Sequence, residues 1–207
     1  MKKQCFILGL LLCASPVIAA EPPIGEVFRL RGEMLIDGNR FKGEAGPGQK
    51  LYQGDTLVTL AQSKAELKMI DGTLIRLSEK SRFQLDQYQF NAAQSSRNVS
   101  LRQVKGYFRV LMGKLSQARA KNRFEVGTRL AVIGVKGTDF FAGPLSVGQM
   151  NIALFEGGPL EVKNSGGTLI LKKAGEGVNI QTHKGMPAKA KQWPEKRLTL
   201  AKSKVDF

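Results

Sequence analysis

Residues 65–77 read AELKMIDGTLIRL, and their alternation decides the fold class. Ala65, Leu67 and Met69 are apolar where Glu66 and Lys68 are charged. A period of two puts each set on one face of a strand. Asp71-Gly72 supplies a turn pair, and Ile75 and Leu77 follow, alternating with Leu74 and Arg76. Two alternating runs around an Asp-Gly pair predict a hairpin or a tight strand corner.

Similar runs recur at residues 83–85, 99–101, 108–110, 124–126, 152–154, 160–162, 169–171 and 178–180. Between them stand Gly54-Asp55, Gly106, Gly113, Gly127, Gly157-Gly158, Gly166-Gly167 and Gly175. The 23 glycines are spread as punctuation between many short strands. No window sustains a helical period; the best candidate, residues 110–121, contains Gly113. The expectation is an all-β fold: a sandwich, a barrel or a short solenoid. Residues 43–49 (GEAGPGQ) read as a loop. Residues 183–207 read as a basic extension, solvated or loosely docked, with seven Lys/Arg against Glu195 and Asp206 and breaks at Pro187 and Pro194.

The first twenty residues read as an export signal. Lys2 and Lys3 precede an apolar core at residues 6–12, and Val17-Ile18-Ala19-Ala20 is a small-residue cleavage region. The apolar stretch is far short of the roughly 20 residues that span a bilayer. Cleavage after Ala20 leaves a chain starting at Glu21; cleavage after Ala19 fits nearly as well. Both cysteines, Cys5 and Cys13, lie in this segment. Cys13 follows Leu12 rather than the small residues of a lipidation site. The processed chain is then expected to have no disulfide, thiolate or Cys-ligated metal, and to occupy a bacterial periplasm. It divides into an all-β domain over residues 21–182 and the basic tail.

Loss of Lys2 and Lys3 lowers the net charge only from +15 to +13. That excess favours anionic neighbours, among them anionic glycans, lipopolysaccharide or an acidic protein face. Nucleic acid is not expected, because the chain is exported and carries no stacking platform. No cofactor or metal is expected either. His183 is the sole histidine, and Glu156, Glu161 and Glu176 are scattered among strand and turn signals. No triad, metal cluster or carboxylate pair is suggested. Residues 134–139 (GVKGTD) lack the glycine spacing and the following helix of a phosphate loop. Phe207 ends the chain on an aromatic residue, as outer-membrane barrels often do, but residues 196–207 are too charged for such a strand.

Residues 128–140, TRLAVIGVKGTDF, resemble the signature of the FecR domain, T-P-x-A-x-x-G-V-R-G-T-x-F, with Arg129 at the Pro position and Lys136 at the Arg position. Gly54-Asp55-Thr56-Leu57 is similar to that family's G-D-x-L turn. Residues 65–77 resemble its A-x-L-x-x-x-D-G-T/S-x-x-x-L block. Glu156-Gly157 with Leu160-Glu161-Val162, and Ala174-Gly175-Glu176-Gly177, resemble its later motifs in the same order. The resemblance implies a short β-solenoid, β-helix-like or two-layered β domain that works by binding. Its best-known members carry a signal from an outer-membrane transporter to a sigma factor. Those members have an anti-sigma segment and a transmembrane helix, and this chain reads as a stand-alone periplasmic member without them or any other transmembrane anchor.

On this reading Gly134 and Gly137 let neighbouring strands turn and pack closely, Thr138 hydrogen-bonds the corner backbone, and Lys136 points outward. The motif patch of Gly134, Val135, Lys136, Gly137, Thr138 and Phe140 is architectural first. The expected function is a non-enzymatic binding or signalling module that engages another envelope protein. The alternative is a glycan- or polyanion-binding protein, with Lys184, Lys189, Lys191, Lys196 and Arg197 as its electrostatic contacts. An enzyme acting on envelope glycans ranks last.

Overall fold

Alternating strands with one apolar face need a second sheet to cover them, and the chain supplies it by crossing back and forth. The computed structural model describes residues 21–94, 96–112 and 122–207. The expected export signal with Cys5 and Cys13, and residues 113–121 of the helical candidate, lie outside them.

The chain opens with β1 (Gly25–Arg31) in sheet A and crosses to sheet B for β2 (Met34–Asp37) and β3 (Lys42–Ala45). It returns to A for β4 (Lys50–Leu51), to B for β5 (Thr56–Thr59), and to A for the hairpin of β6 (Lys64–Met69) and β7 (Leu74–Leu77). A hairpin in B follows, β8 (Arg82–Asn91) and β9 (Ser96–Lys105), then β10 (Phe108–Leu111) in A. β11 (Arg123–Gly127) and β12 (Val132–Val135) lie in B, and β13 (Thr138–Gly143) and β14 (Met150–Gly157) in A. β15 (Leu160–Asn164) and β16 (Gly167–Leu171) complete B; β17 (Glu176–Ile180) and β18 (Lys191–Gln192) complete A. Among the described residues each sheet has nine strands, so the two-layered form of the expected all-β fold is the observed one. All pairs among the described residues are antiparallel but one, β9 with β11, which β10 in A separates along the chain.

The 65–77 segment forms a hairpin, with Ala65 opposite Leu77 and Leu67 opposite Ile75. Gly72 takes φ +79°, which a residue with a Cβ adopts at a cost. Val27, Leu67, Ile75, Phe108, Phe140 and Ile152 face inward from A, meeting Leu57, Phe83, Leu101, Phe124 and Ile133 from B; none exceeds 1 % exposure. Phe83 and Phe108 meet across the layers with ring centres 5.3 Å apart. At one point the layers are joined by polar chemistry. Asp71 in the β6–β7 turn accepts hydrogen bonds from Tyr88 Oη at 2.7 Å and Arg97 Nη1 at 2.8 Å, both on sheet B. Burial, and then the Asp71 charge, push the Tyr88 hydroxyl pKa well above its ordinary value.

Two expectations are corrected. Residues 42–45 form β3, so the loop at 43–49 is shorter than its Gly content implies. The last residues are not an open extension: α1 (Glu195–Val205) is a helix with Ala201 and Val205 fully buried. It lies on the outer face of sheet A, where it forms a second small core with Phe141, Ala153 and Trp193.

Candidate functional site

The two outer faces of the sandwich differ. On sheet A a charged row runs across the strands under α1. Glu66, itself buried, accepts from Arg29 at 2.7 Å and from Arg76 at 2.5 Å. Arg76 lies directly opposite Arg109 on the next strand, a like-charged pair that opposes sheet formation if left unbalanced. Asp206, just past α1, bridges them at 2.7 and 2.6 Å, and Arg109 also holds Asp139 at 2.7 Å. These pairings raise the Arg109 pKa despite its burial.

The outer face of sheet B has no helix on it among the described residues. Register places Glu125, Gly134, Glu161 and Ile170 in one row across β11, β12, β15 and β16. Gly134 has no side chain, so the row is interrupted by a slot. The neighbouring Val132 and Lys163 stand opposite each other. The result is a groove of about 300 Å³ whose walls include Arg123, Lys136, Glu161 and Lys163 and whose apolar surface includes Val132, Pro159 and Ile170. Val132 and Ile170 are 42 % and 43 % exposed and lie in the same groove. β16 bounds the groove and is an edge strand, paired on one side only.

The motif patch lies at the crossing from β12 to β13. Gly137 takes φ +68° there, and Lys136 is exposed on the groove side. Gly134 does not mediate a close approach: a Cβ would sit at an ordinary 3.6 Å from Glu161 Cβ. The corner hydroxyl is Thr128, whose Oγ1 accepts from Ala131 N–H at 3.1 Å and donates to Ala131 C=O at 2.8 Å. Thr138 is buried, and its Oγ1 has no hydrogen-bond partner, contrary to its expected part in the corner. Val135 and Phe140 are buried.

Among the basic residues, Lys189, Lys191 and Arg197 line one cleft between β17, β18 and the start of α1. Lys184 and Lys196 are exposed and do not line it. His183 is exposed. Glu176 accepts from the Lys172 and Lys173 N–H groups, which hold its pKa below the usual range. Glu156, Glu161 and Glu176 sit on β14, β15 and β17 and form no cluster. Among the described residues no group of three or more His, Cys, Asp or Glu could hold a metal ion, and no helix is long and apolar enough to cross a membrane.

A family model described as FecR protein matches residues 55–158, half of the chain. No curated relative matches it. Two crystal structures from Parabacteroides distasonis ATCC 8503, each assigned as an anti-sigma factor, are similar. The first, at 1.65 Å, has TM-score 0.53 at 16 % identity, covering 70 % of this chain and 62 % of that one. The second, at 2.50 Å, has TM-score 0.52 at 17 % identity, covering 69 % and 61 %. The chain thus spans about three-fifths of each of those proteins, and the likeness is one of fold.

Proposed function

The chain belongs to the FecR protein family, and from that premise we propose a periplasmic, non-enzymatic signalling module that engages another cell-envelope protein. One observation carries the reading: the sheet B groove ends on an unpaired strand edge. β16 is the longest of the four edge strands, five residues against four in β3 and two each in β4 and β18. Its backbone groups on the open side can take an extended segment of a partner, while Ile170, exposed at the groove's rim on β16, gives that segment's side chains an apolar contact. On sheet A the region of Phe141 and Ala153 is already covered by α1, and the edge strands β4 and β18 are only two residues long.

The test is capture from detergent-solubilised envelope by the immobilised chain, with low-salt and then high-salt washes. A protein that survives high salt on the native chain and is lost from Ile170→Arg, at an unchanged melting temperature, supports the reading. Retention of glycan or lipopolysaccharide alone, removed by salt, overturns it, because exposed charge contacts are screened within ~8–10 Å.

A further inference from the structure

Four arginines among the described residues are largely withdrawn from solvent: Arg76, Arg97, Arg109 and Arg197. Three meet carboxylates, Arg76 at Glu66 and Asp206, Arg97 at Asp71, and Arg109 at Asp139 and Asp206. Arg197 meets none. Its guanidinium lies 3.9 Å from the centre of the Trp193 ring and donates from Nη2 to Asn179 Oδ1 at 2.7 Å. Burial without a compensating negative charge lowers its pKa. Stacking and one amide fix the plane of the fork and leave most of its five N–H donors unused.

The cleft beside it holds about 210 Å³, and Lys189 and Lys191 line it with Arg197. No Asp or Glu lines it. Glu176, on the same strand as Asn179, is occupied by the Lys172 and Lys173 N–H groups. The first turn of α1 has no side-chain cap, and its acidic residue, Glu195, is exposed and does not line the cleft. A carboxylate would offset one of the three cations. A phosphate monoester carries about −1.5 to −2 and three strong acceptor oxygens, a closer match in charge and in hydrogen bonding.

We propose that the β17–β18–α1 cleft binds the phosphate group of a phosphate monoester, with Arg197, Lys189 and Lys191 as its donors. Free phosphate and a phosphorylated envelope headgroup offer that same chemistry. The site shares no residue with the sheet B groove, so it stands or falls apart from the protein-binding reading.

Trp193 is the sole tryptophan, so intrinsic fluorescence reports on this cleft. The full chain is titrated at matched ionic strength with inorganic phosphate, glucose 1-phosphate, sodium chloride, and phosphatidylcholine vesicles with added phosphatidate. A saturable change with a phosphate species and not with chloride is expected. It should weaken about tenfold or more in Lys189→Gln, Lys191→Gln and Arg197→Gln, the loss of one charged hydrogen bond. Equal affinity for inorganic phosphate and ester identifies the free ion as the ligand; much tighter binding to the phosphatidate vesicles identifies a headgroup. A response no larger than that to chloride overturns the proposal. So does unchanged affinity in the two lysine variants, whose exposed side chains leave folding intact.

Discussion

Asp71 is a turn residue that also joins two sheets. Removing its carboxylate leaves Arg97, 5 % exposed, and the Tyr88 hydroxyl without their partner. Asp71→Ala is therefore expected to cost about 3–5 kcal/mol, the range for an orphaned buried charge, measurable by urea denaturation. Asp55 behaves in the opposite sense. One of its oxygens accepts the Tyr52 N–H at 2.7 Å, while the other is buried without a partner, and burial raises its pKa above 3.8. Protonation relieves that burial, so the stabilising contribution is present at low pH and is lost as pH rises through the raised value. Against an Asp55→Asn variant, whose side chain does not titrate, the native protein should gain relative stability as pH falls from 7 towards 4. Denaturation midpoints of the two chains at each pH check this; a constant gap contradicts it. Glu26 and Glu176, with lowered pKa values, titrate alike in both chains and cancel.

At the scale of elements, the strands were legible and the helix was not. The 65–77 hairpin could be read because a period of two around Asp-Gly admits few other structures. α1 was missed because its apolar positions are sparse: Leu198, Ala201 and Val205 alone face the sheet, among four Lys/Arg. A signal did exist, though not in α1 itself. Phe140-Phe141 and Ile152-Ala153-Leu154-Phe155 are apolar without alternation, the mark of strands covered on both faces. Something had to lie on Phe141 and Ala153, and α1 does. The sheet B groove was half legible: the motif marked Gly134 and Lys136, but cross-strand neighbours such as Glu125 and Ile170 emerge only from register. The sequence marks Arg197 by its charge alone; its want of a carboxylate depends on which side chains the fold brings beside it. The helix also makes a prediction. Asp206→Asn leaves Arg76 and Arg109 facing each other, at an expected cost of about 1–2 kcal/mol because the carboxylate is partly wet. Trp193 emission should shift to the red as α1 loosens; an unshifted spectrum means the pairing does not hold the helix.

Across the whole molecule, a net charge of +13 from residue 21 onward sits on a sandwich with one occupied face and one open face. Charge of that size acts at long range on the encounter with an acidic partner, whereas the apolar groove acts at contact. Raising salt from low to physiological levels should therefore slow association severalfold and leave dissociation nearly unchanged, as measured by surface plasmon resonance. A salt effect confined to dissociation would mean that ion pairs, not the groove, hold the complex. α1 has a mechanical consequence as well. Arg197 anchors its start to Asn179 on β17, and Phe207 lies 5.0 Å from Arg29 of β1, seven strands along the sheet when both ends are counted. The helix is a tie laid across the grain of the sheet. Tension drawn on its far end loads that tie before any ladder of backbone hydrogen bonds, so it peels first and bares the Arg76–Arg109 row in one event. The sandwich would then yield in two stages, with the sheet B groove still whole after the first.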